Sequence, residues 1–189
     1  MELKQFIEKV LADYRHRLFL ALDGLTPEEL AWRPGPEANS MAFIVWHVAR
    51  IEDRWFQRFA REATEVWVRE GWSHKIGISE QGTGGGYTAE QIAQFPIVKG
   101  EDLRQYFEAV RKETLSFLRG LEPKDFDFAP ERPPAPDRPR ALSGNAFEGC
   151  TIGRMFRQIV AEFNQHLGQV QYLRGLQKGI NNVQNTPLP

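Results

Sequence analysis

The chain has 189 residues, enough for one domain with a substantial core and too few to expect two. Its 24 basic and 25 acidic side chains leave a formal charge of -1 with no Lys/Arg run, so neither a nucleic acid nor a membrane surface is an expected partner. No apolar run reaches the length of a membrane span, the charged opening MELKQFIEKVLADYRHRL lacks the apolar stretch of a secretory signal, and the single cysteine cannot build a disulfide framework, so a reducing, cytoplasmic setting is expected.

Leu3, Phe6, Ile7, Val10, Leu11, Tyr14, Leu18, Ala21, Leu22 and Leu25 recur at three- and four-residue steps and predict a first long helix that loosens at Gly24. His16 falls opposite this stripe, between Arg15 and Arg17, and reads as solvated. Thr26, Pro27 and Glu29 form the capping box of a short helix, which Pro34, Gly35 and Pro36 stop. Asn39 or Ser40 can then cap a second long helix from Met41 to Ala60, with Met41, Ile44, Val45, Val48, Ile51, Trp55 and Phe59 as its stripe. His47 lies about 100° from the middle of that stripe, on a flank shared with Phe43, Ile51 and Arg54. Glu52 lies nearer the centre, which marks it either as a partner for an imidazole or arginine, or as half of an ion pair buried at a helix contact.

Residues 61–95 predict a long crossover. EVWVREGW is short and aromatic, HKIGISEQGTGGGY is turn-rich, and TAEQIAQF opens with a second capping box from Thr88 and Gln91. Gly82, Gly84, Gly85 and Gly86 meet no nucleotide fingerprint, since no Gly-Lys-Ser/Thr follows and no apolar strand precedes, so they read as a flexible loop. His74 reads as loop surface, and Trp67 with Trp72 either closes over a pocket or supports a subunit contact.

A third helix over residues 101–119 buries Leu103, Phe107, Val110, Thr114, Phe117 and Leu118 and carries no ligand-type residue in its stripe. Prolines 130, 133, 134, 136 and 139 then predict an extended, Pro-rich loop before helix four. Cys150 precedes that helix as a small buried thiol. Ile152, Met155, Phe156, Ile159, Phe163, Val170 and Leu173 line its buried face, and His166 falls about 40° from the middle of the stripe with Glu162 one turn earlier. Residues 181–189 read as a frayed tail beyond a single domain at 1–180.

These elements predict an all-α fold, an antiparallel four-helix bundle with a long crossover between helices two and three. Bundles of this kind place cofactor sites between facing helices, and His47, Glu162 and His166 are the one set of three ligand-type residues on suitable faces. Two imidazoles and a carboxylate would leave open positions on a divalent ion, as a catalytic site needs. A histidine on an apolar face is also often a hydrogen-bonded core residue, and Glu162 at the margin can be an ordinary boundary acid.

The segments WHVARIEDRWF and EFNQHLGQVQYLRGL, the approach LTPEELAWRP and ANSMAFIVWH, and the crossover GTGGGYTAEQIAQF together resemble the DinB-like metalloenzyme superfamily over nearly the whole chain to about Leu176. That resemblance implies a four-helix bundle, often dimeric, with one divalent metal held by a histidine on helix two and two histidines four apart on helix four. His47 and His166 occupy two of those positions, and Glu162 replaces the third histidine with an oxygen ligand suited to zinc, nickel, iron or manganese. The activity implied is transfer of a low-molecular-weight thiol to an electrophile, with Arg54, Gln169 or Arg174 orienting an anionic substrate. A homodimer is the expected assembly. A metal-dependent hydrolase, with Glu52 as base, and a non-catalytic, stress-linked metal- or small-molecule-binding bundle are the alternatives.

Overall fold

The structure, a computed structural model, describes residues 1–130 and 149–179. The Pro-rich loop through Pro133, Pro134, Pro136 and Pro139 and the tail at 181–189 lie outside the described residues.

Local sequence signals set the helix starts. Thr26 accepts from the Glu29 amide while Glu29 reaches back to the Thr26 amide, opening α2 (Pro27–Ala31) after α1 (Leu3–Leu22). Ser40 caps α3 (Met41–Asp53) through the Phe43 amide at 3.2 Å. The crossover carries three short helices, α4 (Val66–Arg69), α5 (Trp72–Ile76) and α6 (Ala89–Ala93), the last opened by the expected Thr88–Gln91 box. Then come α7 (Gly100–Gly120), a 3₁₀ turn at Pro123–Asp127, and α8 (Ile152–Lys178), capped by Thr151.

The fold is all-α, and among the described residues there is no strand. The four long helices bury their stripes on one another: α3 packs on α7 and α8, and α1 packs on α8 and α7. Tyr14 stacks on Phe163 at 4.6 Å and Phe56 meets Phe156 at 4.4 Å between ring centroids, so aromatic pairs tie opposite sides of the core together. No described helix is long and apolar enough to cross a membrane.

The second long helix departs from expectation after Asp53. Arg54–Ala60 winds as a π-helix, whose wider turn places one more residue in each repeat. The buried face therefore shifts, leaving Trp55 half-buried and burying Phe56 and Gln57 with Phe59. Just before this turn, the Asp53 carboxylate accepts the Val66 and Trp67 amides at 2.9 and 2.8 Å, capping α4 from a distance.

Two ionic clusters fill the core where stripes alone would place aliphatic groups. Arg111 on α7 binds Glu52 through two hydrogen bonds of 2.8 and 3.0 Å and donates to the Leu11 carbonyl at 2.8 Å. Arg50, Asp53, Glu65 and Tyr106 form the second, with Arg50 and Asp53 wholly buried. Burial pushes the Asp53 carboxyl up to about 6, against the pull of the two amides and Arg50. A folded-state pKa above the unfolded value of about 3.9 means the native state binds this proton more tightly. Its contribution is therefore fully present below about pH 4 and is lost as pH rises through about 6. We expect the stability difference between the parent and Asp53→Asn, measured by urea unfolding, to fall over that interval. A difference that grows with pH would mean that Arg50 and the amides outweigh burial.

Candidate metal-binding site

His47 is half-buried on α3 and His166 sits on α8, and packing of those two helices brings the rings to 5.2 Å between centroids, edge to face at 84°. The Nδ1 atom of His47 lies 2.5 Å from the Thr83 carbonyl oxygen in the crossover. A carbonyl can only accept, so the neutral ring carries its proton on Nδ1 and its lone pair on Nε2. His166 repeats the arrangement, with Nδ1 2.9 Å from Gln169 Oε1. Both imidazoles are thus oriented by oxygen partners in the way that metal-ligating histidines are.

Glu162 lies one turn before His166, its Oε2 3.7 Å from His166 Nε2, while its Oε1 accepts from Gln158 Nε2 at 3.1 Å. Among the described residues, no three His, Cys, Asp or Glu side chains stand close enough together to hold an ion as they lie. The donor set nevertheless suits a divalent ion, since it pairs two imidazole nitrogens with a carboxylate that is only partly buried.

Of the four accompanying residues expected from sequence, Gln169 meets His166. Glu52 is committed to Arg111 on α7 and touches neither ring, which follows its reading as half of a buried ion pair. Arg54 is buried beside the Gln81 carbonyl and over the Phe59 ring, and lines a polar pocket of about 310 Å³ with Arg58 and Glu65. Arg174 donates to the Ala21 and Asp23 carbonyls at 2.9 and 2.8 Å, closing the C-terminal end of α1. His74 is exposed and Cys150 is buried, with its thiol pushed up by desolvation. Trp67 and Trp72 neither close a pocket nor face outward: both pack on Tyr106, at 5.0 and 5.7 Å.

Sequence reading missed the wall of the site. Phe43 lies parallel to His47 at 6.0 Å, and Gly84 presses against Phe43, Trp46 and His47 with φ at +79°. At Gly84 the glycine-rich stretch is therefore a close backbone approach. An isolated glycine cluster beside a capping box was the available signal, but periodicity carries no information about what a loop covers. An open apolar groove of about 660 Å³ lies between Phe6, Phe126 and Phe156, away from both histidines.

The sequence profile of the DinB superfamily matches residues 11–170. No curated protein matches the chain in sequence. Among solved structures, a conserved protein from Enterococcus faecalis is similar with a TM-score of 0.77 and 20% identity, over 93% of this chain and 97% of that one. At that identity the likeness concerns the fold.

Proposed function

Because the chain belongs to the DinB superfamily, we propose that it is a divalent-metal-dependent enzyme that joins a low-molecular-weight thiol to an electrophile, with His47, His166 and Glu162 holding one ion of zinc, nickel, iron or manganese. The observation that carries this reading is the pairing of two imidazoles from different helices, each with Nδ1 engaged by an oxygen, the tautomer whose lone pair is on Nε2. A bound cation would lower the pKa of a thiol and favour the nucleophilic thiolate.

The chain's own residues supply orientation. Thr83 and Gln169 keep the ring protons on the far side of each imidazole, so neither ring needs to change tautomer to ligate. Phe43 and Gly84 cover one side of His47. Glu162, on the more open side, contributes negative charge next to His166. Ester or amide hydrolysis is the weaker reading, because Glu52, the base it would use, is held at both oxygens by Arg111.

Elemental analysis of the purified protein tests the reading. About one divalent ion per chain is expected in the parent, with loss in both His166→Ala and Glu162→Ala. The metal-loaded parent should then consume a thiol and an electrophile together, and His166→Ala should not. A parent that stays metal-free after reconstitution would overturn the enzyme reading in favour of a non-catalytic binder.

A further inference from the structure

Five successive carbonyls of the crossover are each taken by a side chain from the α3 to α4 unit. Trp67 Nε1 donates to Ser79 O at 3.2 Å, Arg50 Nη2 to Glu80 O at 3.2 Å and Arg54 Nη1 to Gln81 O at 3.5 Å. Arg50 Nε donates to Gly82 O at 2.8 Å, and His47 holds Thr83 O. Residues 79–84 form no helix or strand, and of these five acceptors Ser79 O takes a turn bond from within the segment, the Gly82 amide at 3.1 Å, while Glu80, Gln81, Gly82 and Thr83 are held by side chains from outside it.

Arg50 takes two of the five. It follows His47 by three positions on α3, which places both side chains on the same side of the helix and facing the same stretch of crossover. Its guanidinium is wholly buried, stacks 5.0 Å from the Trp67 ring, and is balanced by Glu65 at 2.6 Å and Asp53 at 3.4 Å. A buried arginine with its partners costs several kcal/mol of desolvation and is no general route to stability. What this one contributes is a fork that fixes the Glu80 and Gly82 carbonyls at once, which a flexible ammonium cannot do. Gly82 adjoins Thr83, so fixing one carbonyl aims the next.

We propose that Arg50 is a positioning residue for the histidine pair: by clamping Glu80 and Gly82 it holds the Thr83 carbonyl on His47 Nδ1 and keeps the ring's lone pair on Nε2. The link to ion binding rests on the reading of His47 as a ligand; the link to the His47 tautomer does not. The Thr83 carbonyl fixes the ring without adding charge, and Arg50 has no contact of its own with either imidazole in the hydrogen bonds it makes.

The test uses the ¹⁵N-labelled full chain, stripped of metal, at about pH 8.5, above the usual histidine pKa of about 6.5. Two-bond proton–nitrogen correlations then report which nitrogen of His47 is protonated. The parent should show the Nδ1–H form alone. Arg50→Lys, which retains the buried charge but not the fork, should show a mixture with Nε2–H, and its zinc affinity should fall about 10-fold or more. Tyr106→Phe removes a hydroxyl from the same buried cluster without touching a crossover carbonyl, and should leave the tautomer as in the parent. Should Arg50→Lys fail to fold by circular dichroism, Trp67→Phe removes the side-chain donor from Ser79 O, leaving it the Gly82 amide alone and the hydrogen bonds of the ionic cluster intact, and should shift the tautomer in the same direction. An unchanged Nδ1–H form in the folded variants, or an equal shift in Tyr106→Phe, overturns the proposal. A tautomer shift in a protein that binds no zinc supports the positioning role and removes the ion from the proposed function.

Discussion

Arg111→Met should destabilise the protein by about 3–5 kcal/mol, the usual cost of leaving one charge of a buried pair without its partner. Glu52 is wholly buried on α3 and both of its oxygens are held by Arg111. The guanidinium is also packed against Phe107 at 4.8 Å and Phe163 at 5.3 Å, so methionine replaces much of the stem contact and the loss isolates the charge. Pairing it with Glu52→Gln should recover more than half of the loss, because the uncompensated carboxylate is then gone. Denaturant midpoints of the parent, both single variants and the double variant measure this coupling. A single-variant loss under about 1 kcal/mol would mean that water reaches Glu52 and that the pair is not sealed between α3 and α7.

Gly84→Ala should cost about 2–5 kcal/mol, and two separate terms make up that figure. At φ +79° any Cβ meets the backbone penalty of the left-handed region, about 1–2 kcal/mol. The added methyl would also lie 2.9 Å from Phe43 Cζ and 3.0 Å from both His47 Nδ1 and Trp46 Cζ3, all parts of rigid rings, where overpacking adds about 1–3 kcal/mol. Gly86 provides the comparison: its φ is +77°, but nothing lies within 4 Å of a methyl built there, so Gly86→Ala should show the backbone term alone. Equal losses in the two variants would show that the crossover is not seated on α3. Displacement of the His47 ring should also lower ion occupancy in Gly84→Ala and leave it unchanged in Gly86→Ala.

The stripes and caps of this chain were open to sequence reading because each is a property of near neighbours. Ile7, Leu11, Tyr14, Leu18, Ala21 and Leu22 are buried along α1 as their spacing requires, while Leu3 and Phe6 at its start remain exposed because the core does not extend that far. Thr26, Ser40 and Thr88 each cap an amide three residues away, a reach that no distant packing is needed to arrange. His47 and His166 could be brought toward one another because His166 lies near the apolar face of its helix, His47 lies on a flank that can meet a neighbouring helix, and the segments around them resembled one superfamily. The π-helical turn after Asp53 was hidden, as were the two amides 13 and 14 residues further on that the Asp53 carboxylate holds, because periodicity does not report where their helix is placed.

Sequence alone decided that the chain is all-α, where its long helices begin, and which superfamily it belongs to, since helical period, capping and short motifs are encoded within a few turns. Only the tertiary structure decided that Glu52 faces Arg111 and not an imidazole, that Arg174 closes α1, and that the glycine stretch is clamped against His47. Those partners lie 32 residues apart for Arg50 and Gly82, 36 for His47 and Thr83, and 59 for Glu52 and Arg111. At such separations a hydrogen bond depends on how helices cross and how a loop returns, and a buried charge takes the counter-charge that packing delivers to it.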